Sequence, residues 1–153
     1  MAVLPWLLGL ALLAGACTAT GSPELEVSAA QAAVPLAGSS QIVLTISNLG
    51  DGDDALIAVD TDAALGIELH ETRIEDDRAT MVSLEQVPLP AGETVRFRPG
   101  GLHLMMIAPD DEVVLGATFE LTLRFDRSDP ITTTAEVRDL LDLAEDALDD
   151  PDA

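Results

Sequence analysis

Soft and imidazole donors are few in this chain, and they cluster. It holds two histidines, His70 and His103, and four methionines, of which Met1 opens the sequence. The other three, Met81, Met105 and Met106, fall with both histidines inside the window 70–106. Ten residues separate His70 from Met81, twenty-one separate Met81 from His103, and only Leu104 stands between His103 and Met105. Two imidazoles and two thioethers make a neutral, soft donor set. Thioether sulfur selects Cu(I) and imidazole accepts it, whereas carboxylate sites suit magnesium or calcium. Zinc fits less well, because its protein ligands are thiolate, imidazole and carboxylate. Outside the cytoplasm thioethers have a further merit: they do not pair into disulfides as thiolates do. They also need no deprotonation, so pH acts on such a site mainly through the histidines.

The segments that carry these residues read as short strands. Side chains alternate faces along a strand. In 66-GIELH-70 the apolar set is Ile67 and Leu69, and His70 sides with Glu68. In 80-TMVSLE-85 it is Val82 and Leu84, and Met81 sides with Ser83. In 102-LHLMMI-107, Leu102, Leu104 and Met106 share one face and His103 and Met105 the other. Met106 therefore reads as packing, while the other four belong to faces turned from the core, toward solvent. From the residues alone, a four-donor metal site and an ordinary polar face both remain open.

Further segments continue the pattern: 41-QIVLTIS-47, 55-ALIAVD-60, 94-TVRFR-98, 118-TFELTLRF-125 and 131-ITTTAEV-137. Between them lie the turn cluster 48-NLGDGDD-54, the Pro/Gly-bounded connector 88-PLPAGE-93 and the Pro99-Gly100-Gly101 turn. Short period-two strands with regular turns predict an all-β antiparallel sandwich over 24–137. Beyond it, 138–153 places Leu140, Leu141, Ala144, Ala147 and Leu148 at helical spacing among carboxylates. That segment reads as an amphipathic helix or an acidic tail, with a solvated tail preferred.

Composition narrows the function. With 28 acidic residues against 7 basic ones, all arginine, the formal net charge of −21 repels phosphate and argues against nucleic-acid binding. Residues 1–16 are uncharged and mostly apolar. This is short for a membrane span of about 20 residues, and reads as a signal peptide ending in Ala14-Gly15-Ala16. Cys17, the only cysteine, follows directly. Leu13-Ala14-Gly15-Ala16-Cys17 resembles a bacterial lipoprotein signal, with Ala14 where most have leucine. It implies lipidation of Cys17, 17–23 as tether, and an exported protein anchored to the outer face of the membrane, otherwise periplasmic or secreted.

The spaced pattern His70, Met81, His103, Met105, with 68-ELHET-72 and 98-RPGGLHLMM-106 around it, resembles the PCuAC-type extracytoplasmic copper(I) chaperone family. The resemblance runs from about residue 24 to 137. It implies a cupredoxin-like Greek-key β-sandwich and one Cu(I) held by His70, Met81, His103 and Met105. It also implies a role in carrying copper to the copper centres of cytochrome c oxidase, directly or through another copper carrier. The Gly-Gly turn is then expected to bring His103 and Met105 to the sandwich edge. A metal-free, surface-anchored β-sandwich binding module is the alternative. A blue-copper centre needs a cysteine thiolate with two histidines, and Cys17 lies at the wrong end of the chain. No nucleophile elbow, paired-cysteine zinc site or phosphate loop appears, so an enzyme is not expected.

Overall fold

A computed structural model describes residues 21–75 and 78–149. The leader 1–16, Cys17, tether residues 18–20 and the Pro151 end of the chain lie outside the described residues.

Ten strands and one helix follow in order: β1 (Leu25–Ala33), β2 (Ser39–Asn48), β3 (Asp54–Asp60), β4 (Ala64–Glu75), β5 (Arg78–Leu84), β6 (Val87–Leu89), β7 (Thr94–Phe97), β8 (Leu102–Pro109), β9 (Thr118–Phe125), β10 (Ile131–Arg138) and α1 (Leu140–Asp149). The hydrogen-bonded order is β5-β4-β8-β2-β1-β10-β9-β3-β6. β2 is shared: its first half pairs with β8 and its second half with β7. The sheet folds over on itself into a β-sandwich with the core between its layers. Alternation builds that core. Ile42, Leu44 and Ile46 from β2, Leu104 and Met106 from β8, and Leu121 and Leu123 from β9 are all buried.

Two strands are additional to those the sequence predicts, and each has a physical reason. In β1 the apolar parity switches, from Leu25 and Val27 to Ala30 and Ala32. A bulge between Ser28 and Gln31 causes this, with Ala29 at φ 52. β6 is three residues long and ends the sheet, so its central Pro88 breaks no inner ladder.

The C-terminal segment is a docked helix, where a solvated tail was expected. The Asp139 carboxylate accepts a hydrogen bond from Leu141 N–H at 2.8 Å, an N-cap. Arg138 reaches Asp142 and Asp146. Leu143, outside the predicted stripe, is the residue that buries, against Ala33 and Val43, while Leu140 and Leu141 stay exposed.

Candidate metal centre

Strand register brings the four predicted donors onto one face of β5-β4-β8. His70 lies directly opposite His103, and Glu68 opposite Met105, across β4 and β8. Thr72 lies opposite Met81 across β4 and β5. Glu68, His70 and Thr72 share a face, so Met81 and Met105 are both diagonal neighbours of His70. Such neighbours lie about 7–8 Å apart, within reach of long side chains. The two imidazoles meet edge to face with centroids 5.9 Å apart. Met106 faces the core and is fully buried, as its parity requires.

Placement differs from expectation in two respects. His103 is wholly buried rather than solvent-facing, and the His70 side chain is only 15% exposed. β8 is also an interior strand, between β4 and β2, so His103 and Met105 do not sit at a sheet edge. The edge strand is β5, and it carries Met81, which is 56% exposed. The donor face thus runs from a sealed histidine to an open methionine.

The Pro99-Gly100-Gly101 turn builds the sealed end. Gly100 adopts φ 75, a left-handed conformation that suits glycine. Arg98 N–H donates to the Leu102 carbonyl at 2.7 Å and closes the loop. The Gly101 carbonyl then accepts two hydrogen bonds, from Thr72 N–H at 3.0 Å and from Nδ1 of His103 at 2.9 Å. One backbone oxygen therefore ties the turn to β4 and fixes the His103 ring.

Each histidine has one nitrogen committed and one free. A carbonyl only accepts, so Nδ1 of His103 carries the proton and Nε2 keeps its lone pair. Glu68 Oε2 lies 2.9 Å from Nε2 of His70; an ionised carboxylate also only accepts, so the His70 lone pair is on Nδ1. Those two atoms, Nδ1 of His70 and Nε2 of His103, are buried side-chain atoms without a hydrogen-bond partner. Buried polar atoms are normally satisfied, so two orphaned lone pairs on adjoining rings are what a ligand-binding face requires. Burial pushes the His103 pKa below the ordinary imidazole value; the Gly101 bond opposes this, and the neighbouring His70 adds to the lowering. His103 is therefore neutral at pH 7, the form that binds metals.

Among the described residues no group of three or more His, Cys, Asp or Glu is placed to hold a metal ion. Neither Glu68 nor the Gly101 carbonyl was singled out from the sequence as a histidine partner. For Glu68 a signal existed, since a residue two positions before His70 shares its face. For Gly101 none did, because a carbonyl has no side-chain identity.

The LpqE-like putative lipoprotein family matches residues 24–137. A putative lipoprotein of Leifsonia xyli subsp. xyli is 28% identical over 142 residues, covering 90% of this chain and 86% of that protein. Among solved structures, the copper-bound PCuAC domain of PmoF2 superposes with a TM-score of 0.64 at 22% identity, over 75% of this chain and 92% of that domain. The Cu(I) form of DR1885 from Deinococcus radiodurans gives 0.62 at 19% identity, over 84% and 83%. The fold implied by the PCuAC resemblance is the fold these domains share.

Proposed function

Since the chain belongs to the LpqE-like family of putative lipoproteins, we propose that it is an extracytoplasmic carrier of a single Cu(I) ion. The cargo is held by Nδ1 of His70, Nε2 of His103 and the sulfurs of Met81 and Met105. One observation carries this reading: two buried imidazole nitrogens lack partners on a face that also bears two methionines. A metal-free module has no use for that arrangement, since each orphaned buried acceptor costs about 1–3 kcal/mol. The copper named in the PmoF2 and DR1885 structures supports the same choice of ion.

The protein's own groups prepare the face. Glu68 and the Gly101 carbonyl fix the two tautomers, so that both lone pairs are available before the ion arrives. The lowered His103 pKa removes proton competition at neutral pH. Copper supplies the soft acid that binds the sulfurs. Exposed Met81 is the donor an acceptor displaces first, so release proceeds by ligand exchange from the open end. The acceptor we propose is a copper centre of cytochrome c oxidase or another copper carrier. We also propose export through the leader, anchoring through lipidated Cys17, and no catalysis.

Purified protein lacking the leader and Cys17 is expected to take up one Cu(I) anaerobically in competition with a chromophoric chelator. Replacing His103 and Met105 together should weaken binding by orders of magnitude while the far-ultraviolet circular dichroism is retained. Unaltered affinity in that double variant would defeat the assignment.

A further inference from the structure

The turn cluster 48-NLGDGDD-54 has no part in the donor face, yet it is built as densely as a functional site. Residues 21–24, the first described part of the chain, lie across it. Asn48, 1% exposed, accepts from the N–H groups of Glu24 and Gly50 and donates to the carbonyls of Gly52 and Leu89. Asp51 accepts from Ser22 N–H at 3.0 Å, and Leu49 N–H donates to the Glu24 carbonyl at 2.7 Å. The glycines allow backbone to touch backbone. A Cβ on Gly52 would stand 2.2 Å from the Gly21 carbonyl oxygen, and one on Gly50 would stand 2.3 Å from that of Ser22. Arg127 closes the seat, donating to the carbonyls of Gly21 and Asp53. Arg127 is itself positioned by buried Asp54, whose carboxylate accepts from the N–H groups of Arg127 and Ser128.

We propose that this seat is a clamp that shortens the tether between Cys17 and the sandwich, and so sets the height of the copper face above the membrane. The inference rests on the proposed anchoring through Cys17. With Gly21 clamped, four residue steps separate it from Cys17, at most about 13–14 Å of chain. Without the clamp the free segment would run to Leu25 at the start of β1, eight steps, or about 26–29 Å. Clamping halves the leash. The copper face lies further along the same strand: Met105 pairs with Gln41 on β2, seven residues from Asn48, or about 23 Å away. A short leash on a rigid strand confines the donor face to a narrow band above the lipid. The partner this suits is an acceptor whose own soft copper site is held in that band by a membrane anchor.

The test uses the full acylated chain in phosphatidylcholine nanodiscs containing a gadolinium-chelate lipid. A spin label on Arg78→Cys, at the β4–β5 hairpin, reports distance to the bilayer by pulsed electron resonance. The clamp is opened by Arg127→Ala with Gly52→Ala, and amide exchange at Ser22 and Glu24 shows that it has opened. A second variant inserts Gly-Ser residues between Thr20 and Gly21, lengthening the leash with the clamp intact. The expected result is a narrow distance distribution in the native chain that broadens and lengthens in both variants, with Cu(I) affinity unchanged. A native distribution as broad as that of the opened clamp would overturn the proposal. Absence of acyl mass on Cys17 would instead overturn the anchoring on which it rests.

Discussion

Glu68 and the Gly101 carbonyl decide which nitrogen each histidine offers, and that choice can be tested at single residues. Hydrogen-bond partners of metal-binding histidines typically contribute about 10–100-fold in affinity. Glu68→Ala is expected to weaken Cu(I) binding by about that factor, and Glu68→Gln, whose amide oxygen can still accept, to recover most of it. Nitrogen chemical shifts of His70 check the cause: the alanine variant should show mixed tautomers and the glutamine variant one. A second prediction concerns His103. Its folded pKa lies below the unfolded value of about 6.5. As pH falls, the unfolded chain binds a proton there first, so folded stability drops with falling pH. The loss begins near pH 6.5 and continues until the folded pKa is passed. Thermal melts of the copper-free protein from pH 7.5 to 5.5 should show this decline, and His103→Leu should flatten it. These residues stood out as candidate donors because histidine and methionine are scarce and three short strands alternate in apolar parity. The burial of His103 was not legible, because it depends on a turn folding back over the ring.

Among the secondary-structure elements, α1 is the one whose role differs most from its sequence pattern. The leucine stripe pointed to Leu140, Leu141 and Leu148, but the docked contact is Leu143 on Ala33 and Val43. Arg138 and the Asp139 cap fix where the helix starts and hence which face turns inward. Leu143→Ala should cost about 2 kcal/mol, the low end for a buried leucine, because this satellite cluster is small. Amide exchange should place the loss mainly in α1, with Cu(I) affinity retained. A loss spread evenly over the β-sandwich would contradict this view of the helix. The strands divide in the same way. β9, with strict alternation over Thr118–Phe125, coincides with its predicted range. β1 escaped notice because its bulge reverses parity midway, and β6 because three residues carry no period. The partner switch of β2, from β8 to β7, is set by contacts distant in sequence, and no local pattern encodes it.

For the molecule as a whole, charge and the soft donor face are separate systems. Net −21 on 153 residues makes the surface self-repelling. Raising salt shortens the screening length from about 30 Å at 0.01 M to about 3 Å at 1 M. The melting temperature of the copper-free protein should therefore rise with sodium chloride. A melting temperature indifferent to salt would mean that the charges are already compensated locally. At the proposed site, imidazoles from β4 and β8 and thioethers from β5 and β8 meet at one ion. Copper K-edge X-ray absorption on the anaerobically loaded protein tests this most directly. The expected result is a Cu(I) edge with two imidazole nitrogens and two sulfurs in the ligand shell, and loss of one sulfur in Met81→Leu. A shell of nitrogen and oxygen alone, unchanged by that substitution, would contradict it.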